Sequence, residues 1–266
     1  MSRNRANKRI NQMKSKLRDG EQAYDRTDYL KEAPHQKKAF HLKDLKKVVP
    51  LTENQEAFFQ AWYDGDRSGY VNDVVCGFNS VGVGKSLMAC YLGLQAVLDE
   101  DSPYEKLIII RSVVPSRDIG HLPGDANMKA AVYETPYAQI FDKVFPWSRS
   151  YESAKKLGLV QFEVTSFLRG TTFDNCIIVF DEVANATEVE FETVLTRLGR
   201  NCRMFLLGDF YGQNDLGSKS GFMKVYNVLK KTKGTAIVEF GPEDIMRSGW
   251  VKSYILSKMK QAEKNA

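Results

Sequence analysis

The stretch VNDVVCGFNSVGVGKSLMAC at positions 71–90 decides the fold. Its valine-rich first part predicts a β-strand over residues 71–78, and the apolar spacing after Lys85 predicts a helix over residues 86–98. A glycine-rich turn between a buried strand and a helix is the usual place of a phosphate-binding loop. We therefore expect this segment to hold the phosphates of a nucleotide, with a plain glycine-rich turn as the alternative.

The predicted loop has the chemistry of a nucleotide site. Gly82 and Gly84 allow the backbone to wrap so that its N–H groups face phosphate oxygens, and the helix that follows adds the positive end of its dipole. Lys85 is expected to reach the β- and γ-phosphates, and the Ser86 hydroxyl is expected to ligate Mg²⁺. Asn79 stands where the usual pattern has its first glycine, and asparagine tolerates left-handed backbone angles better than most residues. The predicted nucleotide contacts of the loop are Asn79, Ser80, Val81, Gly82, Val83, Gly84, Lys85, Ser86 and Leu87.

A second buried strand ends in two acids. Residues 176–180 form a continuous apolar run, and Asp181 and Glu182 follow it directly. Because ligands of open α/β sheets bind at the carboxyl ends of the strands, we expect both acids to face the bound phosphates. Asp181 would hold Mg²⁺ directly or through water, and Glu182 would act as general base toward the attacking water. The alternative is an Asp-Glu pair that caps the next helix.

Further polar residues are expected near the same edge of the sheet. Asp209 and Gln213 follow the predicted strand at 203–207, and a carboxylate and an amide there can sense the γ-phosphate. Gln55 lies 30 residues before Lys85 and has the paired donor and acceptor that an adenine edge requires. Taken alone, however, a glutamine at a helix start is usually only solvated.

The rest of the sequence alternates between strand and helix patterns. The strands are rich in Val, Ile, Phe and Leu on both faces, which is typical of a parallel sheet covered on both sides. We therefore predict an α/β fold of three layers, built from right-handed βαβ units around a mainly parallel sheet. The predicted strands cover residues 71–78, 106–111, 176–180, 203–207 and 235–240, and the predicted helices cover residues 86–98, 135–145, 187–198, 221–230 and 250–260.

The positive charge is concentrated at the start of the chain. Residues 1–50 hold 14 Lys and Arg against 6 Asp and Glu, a net charge of +8, whereas the whole chain of 266 residues carries only +5. We predict a basic N-terminal arm over residues 1–45, partly disordered or helical, and one folded domain over residues 46–266. Such an arm favours phosphate backbones or acidic protein surfaces by long-range attraction. The alternative is a solvated tail without a partner.

Composition excludes several other classes of protein. With 43% apolar and 27% charged residues, the chain is neither disordered nor fibrous. Its longest apolar runs are far shorter than the roughly 18 residues that a bilayer crossing needs. The start lacks the apolar stretch of a secretory signal, so we expect a cytoplasmic protein with no membrane partner. The four cysteines form no CxxC pair and are expected to be reduced core thiols, and three histidines are too few for a histidine-based metal site.

Taken in order, these segments resemble the PhoH-like family of P-loop ATPases, which are relatives of the superfamily-one helicase core. The resemblance runs from Leu51 to about Val251 and implies a single-lobed RecA-like fold, ATP and Mg²⁺ as cofactors, and RNA or single-stranded DNA as the substrate. The short chain with a basic arm resembles a phage-type member, whose location would be the host cytoplasm. Besides the phosphate loop, the resemblance rests on LTENQ at 51–55, LPGD at 122–125, FLRG at 167–170, DE at 181–182, LTRLG at 195–199, GD at 208–209 and DIMR at 244–247.

A single lobe does not supply the arginine that a second lobe contributes to such a site. In two-lobed helicases the second lobe supplies an arginine that neutralises charge in the transition state, and such an arginine is worth about 10³ to 10⁵ in rate. The resemblance therefore implies that Arg247, or alternatively Arg197, enters the site of a neighbouring subunit in a homo-oligomeric ring, expected to be a hexamer. The other interpretation of both residues is an intrachain salt bridge. The predicted nucleic-acid contacts are Arg111, Arg117, Lys129 and Arg169.

Two other functions remain open on the sequence alone. A nucleotide-dependent scaffold with little turnover is compatible with Asn79 and with Ala184, which stands where related sequences have glutamine. Glu182 and Gln213 argue against a scaffold. A small-molecule kinase shares the phosphate loop, but an acid that activates water is harmful in a kinase. The leading hypothesis is an ATPase that acts on RNA or single-stranded DNA in the manner of a helicase or translocase.

Overall fold

Six parallel strands form the centre of the structure, a computed structural model that describes residues 40–63, 71–112, 126–165, 168, 172–209 and 220–264. The strands and α-helices that the structure describes lie within the compact unit His41–Ala266. The strands are β1 (Val74–Phe78), β2 (Lys106–Arg111), β3 (Val160–Val164), β4 (Cys176–Asp181), β5 (Cys202–Gly208) and β6 (Thr235–Glu239).

Seven α-helices accompany the sheet within these ranges. Short 3-10 turns at Leu42–Asp44, Val183–Asn185 and Pro242–Asp244 complete the regular structure. The helices are α1 (Glu53–Tyr63), α2 (Lys85–Leu98), α3 (Ala126–Val144), α4 (Ser150–Lys156), α5 (Glu188–Leu195), α6 (Phe222–Leu229) and α7 (Gly249–Lys264).

The strand order brings the two predicted halves of the site to one edge. Across the sheet the order is β3-β2-β4-β5-β1-β6. Only β5 separates β1, which precedes the glycine-rich loop, from β4, which carries the first acid. All neighbouring strands are parallel, so their carboxyl ends share one edge, where ligands of open α/β sheets bind. The parallel sheet of the α/β fold that the sequence predicts is therefore confirmed.

Helices cover both faces of the sheet. On one face Phe78 of β1 packs edge-on against Phe222 of α6, with ring centroids 4.9 Å apart, and Phe191 of α5 belongs to the same core cluster. On the other face Trp62 of α1 stacks on Phe205 of β5 at 4.3 Å. The helix α2 contacts β2, β4 and β5. These contacts give the three layers predicted for a buried parallel sheet.

The predicted elements are present, and the structure adds others. All five predicted strands occur. β2 has the predicted bounds, and the other four differ by one to three residues at their ends, the first beginning at Val74 rather than at residue 71. The strand β3 and the helices α1 and α4 were not predicted, and α3 begins at Ala126, nine residues before the predicted start, with Pro136 in its interior. β3 lies at the sheet edge and only Val160 in it is fully buried. It therefore lacks the continuous apolar run by which the other strands were recognised.

Two expectations from composition can be compared with the structure. All four cysteines are buried and unpaired by disulfides, as predicted for reduced core thiols. In the parts of the chain that the structure describes, no helix combines the length and the apolar character needed to cross a bilayer.

Candidate nucleotide-binding site

The glycine-rich loop joins β1 to α2 through left-handed backbone. The φ angles are 66° at Asn79, 47° at Ser80, 78° at Gly82 and 87° at Gly84. Glycine adopts this region without penalty, and asparagine adopts it more readily than other residues. Asn79 can therefore replace the usual first glycine. Turns of this kind direct backbone N–H groups into a concavity that binds anions.

Lys85 begins α2 and lies among acidic groups at the sheet edge. Its ammonium group donates hydrogen bonds to the backbone carbonyls of Asn79, at 2.7 Å, and of Ser80. Burial lowers the pKa of Lys85, and this effect is opposed by three carboxylates, those of Asp209, Asp181 and Glu182. The fold thus gathers one cation and three anions from α2 and from the ends of β4 and β5.

Asp181 supplies the chemistry of a metal site. Its Oδ2 accepts hydrogen bonds from Ser86 Oγ at 2.7 Å and from the Tyr137 hydroxyl at 3.0 Å, and its Oδ1 accepts from the backbone N–H of Glu182 at 2.9 Å. A hydroxyl and a carboxylate in contact are hard oxygen ligands. Proteins typically bind Mg²⁺ through one or two such groups together with phosphate oxygens and water. The residues present therefore fit the magnesium ion expected from the sequence.

Glu182 follows β4 in left-handed backbone. Its φ of 53° and ψ of 39° cost a residue other than glycine on the order of 1–3 kcal/mol. Burial and the charge of Asp181 raise the pKa of Glu182, and the charges of Arg111 and Lys85 partly oppose them. Arg111 Nη2 lies 3.9 Å from Glu182 Oε1. A raised pKa makes a carboxylate a better general base near neutral pH.

The acids do not cap α5, the next α-helix. α5 begins after Thr187, whose hydroxyl accepts a hydrogen bond from the backbone N–H of Glu190 at 3.3 Å. The Glu190 carboxylate in turn accepts from the Thr187 backbone N–H at 2.9 Å, which completes a capping box. Thr187 and not the acidic pair therefore caps α5, and Glu182 precedes the 3-10 turn Val183–Asn185 without a side-chain capping hydrogen bond.

Two serine hydroxyls hold the 3-10 turn Val183–Asn185, which follows the acids. Ser112, which follows β2, donates its hydroxyl to the carbonyl of Asn185 at 2.7 Å. Ser220 donates its hydroxyl to the carbonyl of Ala184 at 2.8 Å. Ala184 is itself buried.

Gln55 fastens the loop to α1. The residue is only 5% exposed. Its Oε1 accepts a hydrogen bond from the backbone N–H of Leu51 at 2.7 Å, and its Nε2 donates to the carbonyl of Val83 at 2.9 Å. Both ends of the amide are thus engaged within the chain, and the contact with adenine stays a prediction.

Asp244 ties the start of α1 to the turn after β6. This carboxylate is 0% exposed. It accepts hydrogen bonds from the backbone N–H of Gly241 at 2.7 Å, from Asn54 Nδ2 at 2.8 Å and from the Thr52 hydroxyl. The LTENQ segment and the DIMR segment are therefore joined, although 192 residues separate Thr52 from Asp244.

Arg247 lies against the glycine-rich loop of its own chain. The backbone N–H of Met246 donates to the carbonyl of Gly82 at 3.0 Å. A Cβ atom at Gly82 would be 2.8 Å from Cγ and Nε of Arg247. The action of Arg247 on a neighbouring subunit stays a prediction. Arg197 follows α5, and its carbonyl accepts from the backbone N–H of Phe173 at 2.9 Å.

The remaining predicted site residues are only partly described. Arg117, Arg169 and Gln213 lie outside the described residues, as does the side chain of Lys129 on α3. Arg111 is described, and its guanidinium group lies near Glu182 and 5.7 Å from the centre of the Tyr133 ring. Arg111 therefore lies beside the second acid, and its contact with nucleic acid stays a prediction.

Two residues of this site were missed by sequence reasoning. Tyr137 belongs to an amphipathic helix, where a buried aromatic residue is most simply explained as core. Asp244 had a weak signal, because it stands three residues before Arg247 in the DIMR segment.

Sequence comparisons agree with this geometry. A sequence profile described as PhoH-like protein matches residues 47–258. The PhoH-like protein of Bacillus subtilis is 30% identical over 193 residues, which cover 71% of this chain and 59% of that protein. Protein PhoH of Escherichia coli K12 is 31% identical over 171 residues, which cover 63% of this chain and 48% of that protein. The chain thus spans about half the length of the curated relatives it matches.

Two solved structures are similar at low identity. The Sulfolobus solfataricus SWI2/SNF2 ATPase core in complex with dsDNA matches with a TM-score of 0.40 and 13% identity, over 85% of this chain and 46% of that one. The Pyrococcus furiosus Hef helicase domain matches with a TM-score of 0.39 and 12% identity, over 72% of this chain and 38% of that one. These two likenesses carry no conclusion about function.

Proposed function

The chain belongs to the PhoH-like protein family of P-loop ATPases, and we propose that it is a Mg²⁺-dependent ATPase that works as an oligomer on RNA or single-stranded DNA. The observation that supports hydrolysis is the meeting of three groups at one sheet edge. Lys85 stands in the loop, Ser86 contacts Asp181, and Glu182 follows with a raised pKa. A loop that only bound nucleotide would not need the last of these groups.

Each group has a role in this proposal. The loop N–H groups and Lys85 bind the β- and γ-phosphates, and Ser86 and Asp181 hold the metal. Magnesium, when bound, neutralises charge that develops on the phosphoryl oxygens. Glu182 accepts a proton from the attacking water, because its raised pKa makes it more basic than an exposed glutamate. Arg111, 3.9 Å from Glu182, restrains the carboxylate.

Action on nucleic acid is supported by the charge at the start of the chain. The net charge of +8 over residues 1–50 favours binding of a phosphate backbone. The test is phosphate release by the full chain with and without RNA or single-stranded DNA. Stimulation is the expected result. A measurable rate that no nucleic acid changes would contradict this part of the proposal, and an undetectable rate under all conditions would favour the scaffold.

The arginine supplied by a neighbour has its own test. If Arg247 acts on the next subunit of a ring, a mixture of Glu182→Gln and Arg247→Ala chains forms some complete sites, although each variant alone is inactive. Random mixing in a closed ring gives about a quarter of the wild-type sites. Arg247 also lies beside Gly82 of its own chain. A mixture that recovers no activity would therefore show that Arg247 acts in the nucleotide site of its own chain. The same mixture with Arg197→Ala tests the other candidate.

A further inference from the structure

A tyrosine from outside the loop and the acidic strand reaches the metal-binding carboxylate. Tyr137 on α3 donates its hydroxyl to Asp181 Oδ2 at 3.0 Å. Ser86 donates to the same oxygen at 2.7 Å, and the backbone N–H of Glu182 donates to the other oxygen at 2.9 Å. The carboxylate is therefore held by three donors, and Tyr137 is the one that neither nucleotide motif supplies.

Packing alone does not account for the hydroxyl of Tyr137. The residue is 0% exposed, and its ring lies 5.8 Å from that of Phe162. A phenylalanine would fill this space, and a buried hydroxyl is costly unless it is hydrogen-bonded. The hydrogen bond to Asp181 Oδ2 satisfies this hydroxyl, which acts as a donor to the carboxylate.

The same helix also approaches the second acid. Tyr133 lies four residues before Tyr137, a spacing that places two side chains on one face of a helix. The guanidinium group of Arg111 lies 5.7 Å from the centre of the Tyr133 ring and 3.9 Å from the Glu182 carboxylate. One face of α3 thus touches Asp181 directly and Glu182 through Arg111.

We propose that Tyr137 is a positioning residue for the magnesium site, which fixes the orientation of the Asp181 carboxylate next to Ser86. This inference rests on the proposed function. Hydrogen-bond partners of metal ligands typically contribute about 10- to 100-fold to metal affinity or activity. Tyr137→Phe removes one such partner and keeps the ring, so it is expected to raise the magnesium concentration needed for binding by about that factor.

The experiment measures magnesium binding without turnover. The unfolding temperature of the full chain is followed while Mg²⁺ is added in the presence of a non-hydrolysable ATP analogue. A second titration adds the analogue alone in EDTA. Tyr137→Phe is expected to shift the magnesium midpoint and to leave binding in EDTA unchanged, because the loop and Lys85 are intact. A purely structural defect would change both titrations.

Tyr151→Phe is the matched control. Tyr151 on α4 is also buried, and its hydroxyl donates to Glu134 of α3 at 2.8 Å rather than to Asp181. It is expected to keep the wild-type magnesium midpoint. A wild-type midpoint in Tyr137→Phe, or equal shifts in both variants, overturns the inference alone. A wild-type chain whose unfolding temperature does not respond to magnesium and nucleotide overturns the proposed function and the inference together.

Discussion

Replacement of Glu182 by glutamine separates nucleotide binding from hydrolysis. Glutamine keeps the shape of the side chain but cannot accept a proton from water. A general base contributes about 10²- to 10⁴-fold, which corresponds to about 3–5 kcal/mol at 1.36 kcal/mol per tenfold change. The simultaneous loss of the contact between Arg111 and Glu182 adds little to this free-energy difference. That pair spans 3.9 Å between side chains that are 23% and 38% exposed, and such pairs are worth about 0–1 kcal/mol.

The same substitution is expected to stabilise the fold at neutral pH. Burial, and then the charge of Asp181, raise the pKa of Glu182 in the folded state. The ionised side chain therefore destabilises the fold above the folded pKa, and this cost is absent below the pKa of the unfolded chain. The free energy of unfolding of Glu182→Gln should exceed that of the wild type at pH 7, and the difference should shrink toward acid pH.

The assay combines three measurements on each variant. They are phosphate release at saturating Mg²⁺ and ATP, equilibrium binding of a fluorescent ATP analogue, and urea unfolding at two pH values. Glu188→Gln is the control, because Glu188 lies on the surface and pairs with Lys224. Wild-type turnover in Glu182→Gln would exclude Glu182 as the base. Lost nucleotide binding would show instead that Glu182 forms part of the binding site.

Three further predictions use other contacts. Arg111→Ala should move the acid limb of the pH–rate profile of phosphate release to higher pH, because the Arg111 charge lowers the pKa of Glu182; an unmoved limb would contradict this coupling. Asp244→Ala should lower the free energy of unfolding by about 3 kcal/mol, because it leaves three hydrogen-bond donors without their buried acceptor. A urea unfolding curve like that of the wild type would refute this prediction. Deletion of residues 1–45 should weaken nucleic-acid binding at low salt, measured by fluorescence anisotropy, and should leave the unfolding midpoint unchanged. Unchanged binding would show instead that the arm is a solvated tail.

The fold was predictable where each element carries its own signal. β2 has the predicted bounds, Lys106–Arg111, because its apolar run is buried on both faces and ends at charged residues. β3 has partly exposed residues at the sheet edge, so its apolar pattern is incomplete. Only its pairing with a neighbouring strand of the folded sheet identifies it as a strand, and the sequence does not show this pairing. The early start of α3 at Ala126 was missed for a different reason. Pro136 lies in the interior of this helix, and a proline there normally marks a helix boundary.

The site was predictable only where its chemistry is local in sequence. The loop and the acids are short segments whose residue types state their role. Tyr137 and Asp181 are 44 residues apart, and Thr52 and Asp244 are 192 apart, so no local pattern reports these contacts. Gln55 shows the intermediate case. Its proximity to the loop was expected, but its engagement with the Val83 carbonyl needed the structure.

The glycine-rich loop depends on contacts from both ends of the folded domain. Asn79 and Ser80 have positive φ angles, and each such residue costs on the order of 1–3 kcal/mol. Gln55 bonds the loop from α1, and Gly241 and Met246 bond it from the segment after β6. Three hydrogen bonds contribute about 0.5–1.5 kcal/mol each, which is comparable with the backbone cost. The loop sequence alone is therefore insufficient, and a chain that lacks the segment after β6 would keep the motif and lose its geometry.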